Sequence, residues 1–280
     1  MMDKLLKIFS NNTRSLEILY LLGGIKKAVR LDANDLELEK IKKFCNDQKL
    51  FLELSDFKVI KTPDGGKRGY ANIVKRVPLN NLNRGLYHLY ISKDKNKSKF
   101  LKILESKNDD RAAGELLGYP KCCIEFFIVN KEKQEKIQND YILPALNNSE
   151  GFEFPFFTNH AMRYFDVTLL SHFPHDFNCK ESINIAKENL KTIKKYSPEL
   201  ANKFENMLKS PVLYTESNGI FAFKNYKLQN NILEYNEIMP TIDNELFNQL
   251  KQNKKIEIIN KNKVKIGNKI LDNIGFMVFT

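Results

Sequence analysis

The order in which the apolar spacing changes along the chain limits its architecture more than any other feature. Residues 14–22 and 34–48 repeat their apolar positions with helical spacing. Asn34 or Asp35 can cap the second run, and Leu36, Leu38, Ile41 and Phe44 form its stripe. The spacing then changes. Residues 51–60, 69–77 and 86–92 read as strands, with Pro63-Asp64-Gly65-Gly66 as turn chemistry between the first two. Residues 93–99 are basic and polar and read as a surface connection. Helical spacing returns at Asp109 or Asp110 and runs to Leu117. Gly118 ends that helix, and Pro120 opens the next at its first helical position, carrying Cys122, Cys123, Phe126 and Phe127. An amphipathic run covers 131–146, and further helices cover 181–196 and 198–210. Strands dominate the remainder, at 212–215, 219–223, 228–235, 255–259, 263–266 and 274–279, with one helix at 243–252. Strand and helix do not alternate strictly, so the expected class is α+β and not a doubly wound sheet. Three regions follow: a mixed one over 1–93, a helical one over 94–210 and a strand-rich one over 211–280.

Composition removes several function classes. With 280 residues and 42% hydrophobic content the chain can bury a substantial core. The first residues are apolar but interrupted by charge, unlike a signal peptide. No run reaches the ~18 apolar residues that a membrane span needs. A cytoplasmic protein without a membrane partner is expected. Four cysteines are too few for a disulfide scaffold and are expected to be thiols, metal ligands or catalytic groups. The formal charge of +11 would suit a polyanion such as RNA. However, 38 lysines stand against seven arginines and are spread along the chain, which favours a solvated surface over a built nucleic-acid face. The Gly65-Gly66-Lys67 string lacks the spacing of a phosphate loop.

Two short segments can carry chemistry. The first is Gly118-Tyr119-Pro120-Lys121-Cys122-Cys123. It places two thiols in the opening turn of a helix, where unpaired N–H groups and the dipole favour thiolate. Adjacent helical residues point about 100° apart, so one sulfur is expected to face the site and the other to pack. The second is His172-Phe173-Pro174-His175-Asp176-Phe177-Asn178-Cys179, with three candidate ligands at spacings of three and four. Imidazole and thiolate together suit zinc or iron better than magnesium or calcium. The metal ligands read from the sequence are therefore His172, His175, Cys179 and one of Cys122 and Cys123. Cys45 lies in a helical stripe and reads as core, and His88 lies among strand tyrosines and reads as structural. Residues 151–178 are crowded with phenylalanine, first of all a hydrophobic core. A polar island interrupts them. In it His160 reads as a fourth ligand or general base, and Arg163 as the holder of a substrate carboxylate or phosphate, or else as a structural partner of Asp166 or Glu125.

At these two segments, over roughly residues 110–190, the chain resembles an uncharacterised family of archaeal and bacterial proteins. Its members share a Gly-Tyr-Pro-x-Cys-Cys segment and a later His-x-Pro-Cys-x-x-x-Cys segment. The first is intact at Gly118 to Cys123. The second stands as His172, Pro174, His175 and Cys179, with His175 where the family has cysteine. The exchange keeps a metal ligand but removes a sulfur nucleophile at that position. The resemblance implies a shared site without naming a reaction.

Three functions remain in view. The first is a metal-dependent enzyme or metalloprotein using zinc or iron and acting on an unknown small-molecule substrate. The second is a metal-free enzyme with Cys122 or Cys123 as nucleophile and His172 or His160 as base. The third is a lysine-rich RNA- or polyanion-binding module.

Overall fold

The computed structural model describes residues 1–61, 74–81, 85–137 and 139–280, and shows an α+β protein with two sheets. The Pro63–Gly66 turn and the first part of the strand expected at 69–77 lie outside the described residues. The described residues divide into two compact units, one taking those up to 135 together with 187–201, the other those of 136–186 together with 202–280.

The first unit holds a four-stranded sheet of order β1-β4-β2-β3, formed by β1 (Ala28–Ala33), β2 (Phe51–Lys61), β3 (Val74–Pro78) and β4 (Leu86–Ser92). Its helices are α1 (Met2–Phe9), α2 (Asn12–Leu22), α3 (Asp35–Asp47), α4 (Lys95–Ser106), α5 (Asp110–Leu116) and most of α6 (Lys121–Ile137). Helix α3 begins with a reciprocal cap. The Asn34 side chain accepts from the Leu36 and Glu37 amides, and the Glu37 carboxylate accepts from the Asn34 amide. Cys45 is buried on its inner stripe, where burial pushes the thiol up to about 12.

Residues 93–99 are not a mere connection. Asp94 caps α4 by accepting from the Asn96 amide, and the lysine-rich first turn faces water while Leu101 and Leu104 reach the core. The same helix carries Glu105 to within 2.7 Å of His88 Nδ1. Burial raises the Glu105 pKa, but the His88 hydrogen bond and the charges of Arg30, His88 and Arg76 outweigh it and bring the carboxyl down to about 2. His88 is thus a structural histidine. Its amide also donates to Ser55 Oγ, which donates to Phe57 O and stitches the irregularity of β2 between Leu54 and Lys58.

The second unit holds an eight-stranded sheet of order β11-β10-β9-β8-β7-β6-β12-β5. The strands are β5 (Glu153–Phe154), β6 (Val212–Tyr214), β7 (Ile220–Gln229), β8 (Ile232–Pro240), β9 (Lys255–Asn260), β10 (Lys263–Ile266), β11 (Lys269–Asp272) and β12 (Gly275–Phe279). Every pairing is antiparallel except that of β12 with β5. All five residues of β12 are buried, which explains its unbroken apolar run. Helix α7 (Ile142–Asn148) lies directly on it. A Cβ at Gly275 would stand 2.9 Å from a Leu143 methyl, so glycine permits the approach. Helix α10 (Glu245–Asn253) contributes Leu246 and Leu250 to the core of the opposite end of the sheet, beside Leu233, Ile256 and Val264.

The expected strand at 228–235 is two strands. Asn230 and Asn231 both have positive φ, 50° and 59°, and make the tight turn between β7 and β8. Asparagine is among the few residues that enter this region at low cost. Helices α8 (Lys180–Tyr196) and α9 (Pro198–Leu208) fall where the sequence placed them. Among the described residues no helix is long and apolar enough to cross a membrane.

Candidate metal centre

The first pair of sulfurs is positioned by a helix stop. At the end of α5, Gly118 adopts φ +81°; its amide donates to Glu115 O and the Tyr119 amide to Gly114 O, both at 3.0 Å. This paired closure needs a residue in the left-handed region, and glycine adopts it without strain. The chain is turned at once into α6. Pro120 O accepts from the Cys123 and Ile124 amides, so Pro120 is the residue before the helix and not its first member, one position from the sequence expectation. Cys122 and Cys123 are therefore the second and third residues of α6.

The other two ligand groups come from the loop before α8. Its backbone is held from several sides. Asn148 Nδ2 donates to His175 O at 3.1 Å. The Phe177 amide donates to Ser149 Oγ at 2.9 Å, and Phe177 O accepts from Thr158 Oγ1 at 2.6 Å. The Phe177 ring is fully buried against Phe154 and Phe279. The Cys179 amide donates to Asp176 O, and Cys179 O accepts from the Ile183 amide, both at 3.0 Å. Cys179 is thus the N-cap of α8.

Cys122, Cys123, His175 and Cys179 each offer one ligand atom, and these atoms all lie within 4.8 Å of one another. Cys123 and Cys179 are buried, and Cys122 and His175 are half-buried. The Cys122 and Cys123 sulfurs are 3.9 Å apart. For a tetrahedral zinc ion, Zn–S near 2.3 Å and Zn–N near 2.0 Å imply ligand-to-ligand distances of about 3.5–3.8 Å. The residues present therefore fit one ion with little adjustment. Three thiolates around a divalent cation leave a net negative charge. The helix starts that carry all three sulfurs supply partial positive charge to offset it.

Both adjacent thiols belong to the group, where the sequence suggested only one. The 100° between neighbouring Cα–Cβ directions is bridged by side-chain rotation, which brings the two sulfurs to one side. His172 is not among the four. Its Nε2 is 2.9 Å from Ser182 Oγ in α8.

His160 and Arg163 are not among the four either. They lie in a buried polar cluster of the second unit. His160 Nε2 is 3.1 Å from Arg163 Nη1 and its Nδ1 is 3.2 Å from Thr168 Oγ1. Burial, then the charges of Arg163 and His172, hold the imidazole well below its ordinary pKa. Beside them is Asp140, which the sequence reading did not single out because it falls within the 131–146 amphipathic run. Asp140 Oδ1 accepts from the Ile142 amide and from Tyr214, and Oδ2 from Tyr164. Burial pushes its carboxyl up, against the hydrogen bonds of Tyr164, Ile142 and Tyr214 and the charge of Arg163, to about 6.

A carboxyl raised from 3.8 to about 6 on folding contributes stability that is complete below 3.8 and is lost as pH rises through about 6. An Asp140→Asn variant has no such loss. Its melting temperature relative to the natural chain is therefore expected to climb across that window and then level. A difference that stays flat with pH in calorimetry would show that Asp140 titrates normally.

No curated protein and no solved structure matches the chain. Residues 88–209, a stretch that contains Cys122, Cys123, His175 and Cys179, match the model of a family described as protein of unknown function (DUF483).

Proposed function

We propose that the chain is a transition-metal protein that binds one ion, zinc in the first place, through Cys122, Cys123, His175 and Cys179. The convergence of their four ligand atoms within 4.8 Å carries this reading. Three sulfurs and one imidazole are a donor set that zinc accepts in closed tetrahedral sites. Four protein ligands complete the tetrahedron, so the ion has no open position and its role is structural. Iron accepts the same donors and is the alternative ion.

The metal-free reading finds less support. Of the two bases that the sequence offered for a cysteine nucleophile, His160 has both ring nitrogens engaged, by Arg163 and Thr168, and His172 directs Nε2 at Ser182 Oγ, 2.9 Å away.

Elemental analysis of protein purified anaerobically without chelator tests the proposal. One zinc per chain is expected. Protein that is folded and carries no stoichiometric transition metal overturns it.

A further inference from the structure

Arg163 is a half-buried arginine whose charge no carboxylate of the described residues meets at ion-pair distance. Of the two partners that the sequence offered, Glu125 is taken by Arg111, at 2.5 Å. Asp166 is the left-handed residue that closes the short 3-10 helix over His160–Phe165. Asp140 feels the Arg163 charge, but its oxygens are occupied by Tyr164, Tyr214 and the Ile142 amide.

The guanidinium is nevertheless held in place. In a 3-10 helix residues three apart eclipse, which brings His160 and Arg163 together. The hydrogen bonds fix the imidazole tautomer. Thr168 Oγ1 donates its proton to Leu170 O at 3.0 Å, so toward His160 it can only accept. Nδ1 therefore carries the ring proton, and Nε2 presents a lone pair to Arg163 Nη1. His160 is in this way a prop for Arg163. The guanidinium carbon also lies 4.9 Å from the Phe173 ring centre and 6.0 Å from that of Tyr164. One N–H is spent on His160, and the others are not buried donors lacking partners, so they reach solvent.

An oriented planar fork, unpaired and backed by aromatic faces, is the geometry that receives two oxygens of an anion side by side. We propose that Arg163 anchors an oxyanion-binding site that takes the carboxylate or phosphoryl group of a small ligand, with His160 and Thr168 as positioning residues. The site is built from the second unit alone and does not depend on the metal ion.

The test uses the full chain with its native metal content. Inorganic phosphate and acetate are titrated separately and followed by calorimetry. The natural chain is expected to bind at least one of them. Arg163→Gln is expected to weaken that binding by about tenfold or more, the equivalent of one charge-assisted hydrogen bond, with metal content unchanged. Arg163→Lys, which keeps the charge and loses the fork, is expected to fall between the two and serves as the deciding variant should Arg163→Gln not fold. Thr168→Val, which frees the His160 tautomer, is expected to weaken binding without abolishing it. Preference for phosphate assigns a phosphoryl ligand, and preference for acetate assigns a carboxylate. Absence of binding by the natural chain, or equal binding by the folded Arg163 variants, overturns the proposal.

Discussion

Replacing Cys179 by alanine is expected to reduce bound metal from one ion per chain to a small fraction and to lower the melting temperature by roughly 10–20 °C. Three ligands remain in that variant, but the lost one is the N-cap of α8 and fixes where that helix begins. A closed metal site binds only the folded chain, so the binding free energy adds to stability. A loss of about 5 kcal/mol is a modest share of what such sites supply, because the protein has an independent core. At about 2–4 °C per kcal/mol for a chain of this size, the stated range follows. Cys45→Ala is the control. That thiol is buried in α3 and is not among the four ligands, so its loss should leave metal content untouched. Elemental analysis and calorimetry on the two variants check this. Equal metal content in Cys179→Ala and the natural chain would exclude Cys179 as a ligand.

Phe177→Ala is the second large effect. The ring is fully buried, with centroids 5.2 Å from Phe154 and 5.8 Å from Phe279. Removing such a ring costs about 3–5 kcal/mol, from lost transfer free energy and the cavity left behind. A further consequence follows from its position. Phe177 lies two residues from both His175 and Cys179, and its amide and carbonyl are pinned by Ser149 and Thr158. Without the ring, the loop must be ordered by the metal itself, which weakens affinity. Urea unfolding should show the stability loss, and competition with a zinc chelator should show weaker binding. Full stability loss with unchanged affinity would mean that the loop does not preorganise its ligands.

Much of this architecture was legible in residue order. Caps and apolar stripes are local, so α3, α5, α8, α9 and α10 could be placed from Asn34, Asp109 and Pro198 and the stripes that follow. Helix α4 was hidden because its first turn is lysine-rich and reads as linker, although Asp94 is an N-cap and Leu101 and Leu104 have helical spacing. The β7–β8 turn was hidden because Asn230-Asn231 sits inside an otherwise continuous strand pattern, and the signal was the asparagine pair. The candidate metal ligands were legible as residue types. Their final set was not. Whether a histidine turns toward a sulfur or toward a serine depends on what packs against its loop. Ser182 of α8 takes the Nε2 of His172, while Asn148 holds the backbone of His175. Asp140 was invisible for the same reason, since Tyr164 and Tyr214 approach it from distant stretches of sequence.

The most direct measurement on the metal centre is the absorption spectrum of the chain loaded with cobalt(II), an ion that reports its own coordination. Three sulfurs and one imidazole should give intense sulfur-to-cobalt charge transfer and the strong visible bands of a tetrahedral ion, saturating at one cobalt per chain and weakening in Cys122→Ser. A faint six-coordinate spectrum, or one unaffected by losing Cys122, would contradict a centre shared by Cys122, Cys123, His175 and Cys179.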